Sequence, residues 1–183
     1  MVYIILGKGF EEAEALVPCD LLRRAGIEVR LAGIGGLEIR GSHGITVRTD
    51  CIAEETDLTD AELLVLPGGL GGVASIRASE SVLSAVRTLR EKGRYIAAIC
   101  AAPTVLAELG ITDGKKATCY PGMENEMGSA DLQDAPVVRD GMLITGRAAG
   151  ASFDFALALI TALRGEETAN QVAAGVVYRG AVR

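Results

Sequence analysis

Three short runs in this chain are hydrophobic at every position: Val2 to Leu6, Leu63 to Leu66 and Tyr95 to Ile99. A strand with one face in water alternates apolar and polar side chains, so runs like these need cover on both faces. Each run ends at a turn, at Gly7 and Gly9, at Pro67-Gly68-Gly69, and at Cys100 just before Pro103. Helical patterns lie between them. Glu11 to Ala25 places Ala15, Leu16, Cys19 and Leu22 on one face and stops at Gly26, with Pro18 marking a kink or a helix start. Ser81 to Lys92 places Val82, Leu83, Val86 and Leu89 together, and Pro103 to Leu109 is closed by Gly110. Buried strands alternating with helices predict an α/β fold, with a mostly parallel sheet and helices on both faces.

The remaining segments fit that frame. Val29 to Ala32 is a second strand, followed by the turn Gly33-Ile34-Gly35-Gly36. Leu37 to Ile39 and Ile45 to Arg48 suit a small hairpin, and Ala117 to Tyr120 a short strand. Val137 to Ile144 is a hairpin turning at Asp140-Gly141. Ser152 to Leu163 and Glu166 to Ala173 are the last helices, and Gln171 to Arg183 holds the end of the last helix and a tail. No linker or repeat divides the 183 residues, so residues 1–183 are expected to form one domain.

Charge and composition exclude several classes. Eighteen Lys and Arg against 24 Asp and Glu leave a net charge of −6, the wrong sign for a nucleic-acid partner. No run of about 18 apolar residues provides a membrane span. The N-terminal segment lacks a basic n-region and reads as a strand, so a cytoplasmic location with reduced thiols is expected. The four cysteines, Cys19, Cys51, Cys100 and Cys119, form no C-x-x-C pair, and the single histidine, His43, has no cysteine in ligand spacing. No metal or cofactor site is therefore expected.

In open parallel sheets the active site lies beyond the carboxyl ends of the strands. That rule selects Gly7 to Glu14, Pro67 to Gly72, Cys100 and Gly146 to Gly150. At Cys100 a buried strand runs straight into a helix, with the small residues Ala98 and Ala102 on either side. The pattern resembles a nucleophile elbow, in which small neighbours permit a sharp, strained turn. The following helix N-terminus, starting with the Ala101 amide, would favour thiolate. A cysteine can also be a small buried filler, which is how Cys19, Cys51 and Cys119 are read, with Cys119 close enough to neighbour the site. Glu11, Glu12 and Glu14 supply carboxylates beside it. One can point inward and hold a proton next to sulfur, whereas Glu11 and Glu12 suit a solvated acidic first turn. Pro67-Gly68-Gly69 can aim backbone N–H groups into the cleft as an oxyanion hole, although an ordinary glycine turn would look the same.

Lys8 to Glu14, Arg23 to Ile27, Leu66 to Gly69, Ala97 to Pro103 and Ser152 to Leu157 together resemble the ThiJ/PfpI superfamily, most closely its DJ-one, parkinsonism-linked protein deglycase branch. The resemblance covers nearly the whole chain and implies a flavodoxin-like three-layer sandwich and a homodimer. It implies that Cys100 is the nucleophile and the oxidation-sensitive thiol, Glu14 its protonated partner, and Gly68 and Gly69 the backbone donors. It also implies cofactor-free glyoxalase or deglycase action on methylglyoxal-like 2-oxoaldehydes or their adducts, of hydro-lyase or hydrolase type. Redox sensing and chaperone activity are the other roles credited to the family, and a non-enzymatic sensor whose Cys100 is oxidised to sulfinate is the alternative. One position departs from the family pattern: Tyr120 stands where a histidine follows the short strand. A Cys-His dyad is then absent and Glu14 must carry proton transfer itself.

Overall fold

The structure is a computed structural model that describes residues 1–180. In chain order the elements are β1 (Val2–Leu6), α1 (Glu12–Arg24), β2 (Val29–Gly33), β3 (Glu38–Arg40), β4 (Thr46–Arg48), β5 (Cys51–Ile52), β6 (Leu63–Leu66), α2 (Leu70–Ala78), α3 (Glu80–Glu91) and β7 (Tyr95–Ile99). There follow α4 (Pro103–Glu108), β8 (Lys116–Ala117), β9 (Asp131–Leu132), β10 (Val137–Asp140), β11 (Leu143–Gly146), α5 (Ser152–Arg164) and α6 (Glu166–Gly175). The expected tail runs on to Arg183, and its last three residues lie outside the described ones.

The central sheet has seven strands in the order β10-β11-β7-β6-β1-β2-β5. Only the β10–β11 pair is antiparallel; every other pairing in this sheet is parallel. The side chains of β1 show why the fully hydrophobic runs were necessary. Val2, Ile4 and Leu6 join a core with α1, α5 and α6, while Tyr3 and Ile5 point into a second core under α2, α3 and α4. Leu63 and Val65 of β6 alternate in the same way with Leu64 and Leu66. This is the three-layer, flavodoxin-like α/β arrangement. Phe10 and Phe155, both buried, are among the largest side chains in the first core. Each such burial stabilises the fold by about 1.5–3 kcal/mol.

The structure departs from the sequence expectations in two places that matter to the site. Helix α2 directly follows Gly69, where no helix was expected. Its sequence carries Gly71 and Gly72, which count against a helix. A Cβ at Gly72 would lie 2.7 Å from the Phe10 Cα, so these glycines let α2 press against the loop after β1. The strand expected over Ala117 to Tyr120 ends at Ala117 and pairs with β9. Thr118 donates its N–H to the Thr145 hydroxyl, and Tyr120 donates its own to the carbonyl of Cys100. The segment leaves the ladder to close around the elbow. Pro18 lies inside an unbroken α1 and cannot donate to the carbonyl four residues back, which belongs to Glu14.

Candidate functional site

The parallel register brings the ends of β1, β6, β7 and β11 to one edge, and the site is built from the turns that leave them. Cys100 follows β7 directly. Its φ is 66°, one of two positive values among the described non-glycine residues. Such strain persists only where the surroundings fix it. Here the Cys100 N–H donates to the Gly146 carbonyl at 2.9 Å and its carbonyl accepts from Tyr120 N–H at 2.8 Å. Ala98 and Ala102 are fully buried on either side, leaving no room for larger neighbours.

Glu14 enters from the first turn of α1. Its side chain is completely buried, and Oε2 accepts the Gly68 N–H at 2.8 Å. Oε1 is buried with no hydrogen-bond partner among the described residues. A buried carboxyl oxygen left like this is most readily carried as the neutral acid. Gly68 lies against both the carboxyl and the thiol. A Cβ there would lie 2.6 Å from the Cys100 Cβ, 2.6 Å from Glu14 Oε2 and 3.0 Å from the sulfur. Gly69, at φ 82°, caps α2 and passes so close to Gly9 and Glu11 that a side chain would meet their backbone.

Burial pushes the Glu14 carboxyl up to about 7, against the thiol contact and the Gly68 N–H, which pull it down. Burial also pushes the Cys100 thiol up to about 12, with the Glu14 charge adding to it, while the N–H groups of Ala101 and Gly69 pull it down. The two groups cannot both be anions, so near neutrality the pair keeps at least one proton. The helix N-terminus was expected to favour thiolate, and burial beside Glu14 outweighs it. Helix α4 spans six residues, and its dipole does not offset burial beside a carboxylate. Thiolate here requires a protonated Glu14.

The structure brings Cys100, Glu14, Gly68, Gly69 and Ala101 together at this edge. Within this group, the N–H groups of Gly69 and Ala101 favour the thiolate, while the Gly68 N–H is taken by Glu14 and is not a free oxyanion donor. Tyr120 borders the elbow through its backbone, with its side chain half exposed. Cys119 packs instead with Ala117 and Met127, and burial, with Glu124 and Glu126 nearby, pushes its thiol up to about 11.

Glu12 is the carboxylate that sequence reasoning misplaced. It is buried, and it accepts from the N–H of His43 at 2.8 Å, from the Ser42 hydroxyl at 3.2 Å and from the N–H of Ile45 at 3.4 Å. Its Oε2 also lies 3.0 Å from His43 Nδ1. Burial raises its pKa, but these contacts, the His43 ring first, win and hold it at about 2. The hairpin tip is thereby tied to the start of α1. Glu11 caps that helix by accepting the Glu14 N–H at 2.8 Å. Glu11, Glu12 and His43 bring three ligand-type atoms within 4.8 Å of one another, but the oxygens of Glu12 are occupied by these donors and the helix N-terminus opposes a cation. Glu12→Gln is expected to cost about 1–3 kcal/mol at neutral pH, the scale of hydrogen bonds to a charged group. A carboxylate with a lowered pKa adds stability above its unfolded value and loses it as pH falls through the folded one. The difference from wild type should therefore shrink between pH 4.5 and about 2, as read by urea unfolding across that range.

Comparison with known proteins places this geometry in context. A sequence profile of the DJ-1/PfpI family matches residues 1–162. Protein dj-1beta of Drosophila melanogaster is 40% identical over 177 residues, covering 95% of each chain. A crystal structure of a DJ-1 superfamily protein from Salmonella typhimurium is 34% identical, with a TM-score of 0.91 over 97% of each chain. A protein of Pyrococcus abyssi named as a deglycase is 34% identical over 151 residues, covering 81% of this chain and 90% of its own.

Proposed function

The chain belongs to the DJ-1/PfpI family, and from that premise we propose that it is a cysteine-dependent, cofactor-free enzyme of the glyoxalase or deglycase type. Its substrate would be a methylglyoxal-like 2-oxoaldehyde or its adduct with an amine or thiol. The observation that carries the reading is the buried Glu14 carboxyl and the Cys100 thiol packed together against Gly68, where both cannot be ionised at once. The Cys100 thiolate adds to the aldehyde carbon and forms a C–S bond, and the carbonyl oxygen takes the proton from Glu14. The N–H groups of Gly69 and Ala101 stabilise the oxygen as charge develops. Glu14, now ionised, removes the proton from the former aldehyde carbon and returns it to the neighbouring carbon, while the hydroxyl proton on the first carbon passes to the oxygen of the second, leaving a thioester of a 2-hydroxy acid. Water cleaves the thioester, which releases the acid and restores the thiol. Methylglyoxal and water thus give lactate, with no net oxidant. The name of the archaeal relative supports a deglycase.

A second reading is favoured by one observation. The only histidine in the chain, His43, bonds to Glu12 and stands apart from the pair, so no neutral-pH base other than Glu14 serves the thiol. In that reading Cys100 is a redox sensor or chaperone switch, oxidised by peroxide to sulfinate and held there by a hydrogen bond from Glu14. Either role is proposed for a cytoplasmic homodimer, for which light scattering should give twice the monomer mass of 19.0 kDa. The deciding experiment is lactate formation from methylglyoxal by wild type and by Cys100→Ser. Turnover that is lost in the variant supports the enzyme, and equal rates in the two proteins refute it. A wild type without turnover whose Cys100 still oxidises to sulfinate selects the sensor.

A further inference from the structure

We propose that Arg77, at the far end of α2, is a positioning residue that holds the strained Cys100 elbow. The inference rests on Cys100 being the reactive thiol. Arg77 donates from Nη2 to the Thr104 hydroxyl at 2.8 Å and from Nε to Glu108 at 2.8 Å, and Nη2 also lies 3.7 Å from Glu126. These partners sit on two segments that wall the site. Thr104 and Glu108 belong to α4, which leaves the elbow, and Glu126 follows the Tyr120 segment that pins the Cys100 carbonyl. Arg77 itself lies in the last turn of the helix that Gly69 caps.

The ion pairs of Arg77 are partly exposed and contribute little by themselves. The buried hydroxyl is what makes the contact matter. Thr104 is 1% exposed, and its Oγ1 donates to the Ala101 carbonyl at 2.7 Å. A hydroxyl has one proton, so an Arg77 N–H bonded to its lone pair directs that proton to Ala101. Ala101 directly follows the residue at φ 66°, and its N–H favours the thiolate. Helix α4 has no side-chain cap to fix that turn. The chain from guanidinium to hydroxyl to carbonyl supplies the constraint instead.

The test is the rate and pH profile of Cys100 alkylation by iodoacetamide, mapped by mass spectrometry, which reads the thiol without requiring aldehyde turnover. Arg77→Gln should slow Cys100 labelling at pH 7 about five-fold, the effect of about one lost hydrogen bond, and displace the profile to higher pH. Thr104→Val should do the same, and the double variant should be no slower than either, because both break one chain. Thr104→Ser keeps the hydroxyl and should stay within about two-fold of wild type. Arg77→Lys, a point charge without the planar fork, should fall between. Wild-type labelling rates and profiles in Arg77→Gln and Thr104→Val would overturn the proposal, as would additive losses in the double variant or equal slowing at Cys51. An inert Cys100 in wild type would overturn the reading on which it rests. A reactive wild-type Cys100 that is indifferent to Arg77 would overturn the brace alone.

Discussion

Glu14→Gln should abolish aldehyde turnover while leaving Cys100 open to alkylation. The amide keeps nearly the shape of the carboxyl and can still donate to sulfur, but it cannot take up and return a proton. Loss of a positioned acid–base group costs about 10²- to 10⁴-fold in rate. Removing the carboxylate also removes the like charge that raises the thiol, so labelling of Cys100 above pH 7 should be no slower than in wild type. Stability supplies a second readout. The Glu14 carboxyl is raised from 4.5 to about 7, so between those values the folded state holds more protons than the unfolded one. Wild-type stability should therefore fall as pH rises through that window, and the Gln variant should lack this fall. Glu14→Asp keeps the acid but withdraws it by about 1.5 Å, one methylene of covalent geometry. It should impair both turnover and peroxide oxidation. If Glu14→Gln retains turnover, Glu14 does not shuttle protons and the enzyme reading fails.

Gly68→Ala should be as damaging, by a steric route. The backbone at Gly68 does not need a positive φ, so alanine is allowed there in principle. The added methyl would nevertheless sit 2.6 Å from both the Cys100 Cβ and Glu14 Oε2, closer than any stable contact. Either the carboxyl or the elbow must move, and both are held by buried neighbours. Overpacking of this kind costs about 1–3 kcal/mol, so the fold should survive and its circular dichroism should be unchanged. A displacement of about 1 Å between reacting groups costs about 100-fold, so turnover should fall by at least that much. A Gly68→Ala protein with wild-type turnover would mean that the thiol and the carboxyl do not act as a pair.

The local signals were legible in the sequence. Ala98, Ala102 and Pro103 flanking Cys100 marked the turn, and the fully hydrophobic strands marked a sheet covered on both faces. What stayed hidden depends on contacts between distant segments. Gly68 looked like a free donor because nothing local shows that its N–H is taken by a carboxylate 54 residues away. Glu12 looked like a solvated first-turn acid because the donors that bury it come from a hairpin about thirty residues further on. Helix α2 was masked by Gly71 and Gly72, whose poor propensity is offset by the close approach they permit. The place before a helix was expected to favour thiolate, and the burial of the thiol itself, with the Glu14 charge beside it, reverses that expectation. Arg77 carried no motif at all, since its partners Thr104, Glu108 and Glu126 are spread over 23 residues on other elements.

The central claim is that this fold presents one reactive cysteine out of four. Cys19 and Cys119 are buried, which keeps an alkylating reagent from their sulfurs, whereas Cys100 is only partly buried. Cys51 is partly exposed at the sheet edge, with its thiol 3.8 Å from the Leu31 carbonyl. Only Cys100 has a strained elbow, two backbone donors and a protonatable partner. Mass-spectrometric mapping of all four cysteines after brief iodoacetamide treatment at neutral pH tests the claim directly. Cys100 should be labelled first, and faster labelling of Cys19 or Cys51 would contradict the account.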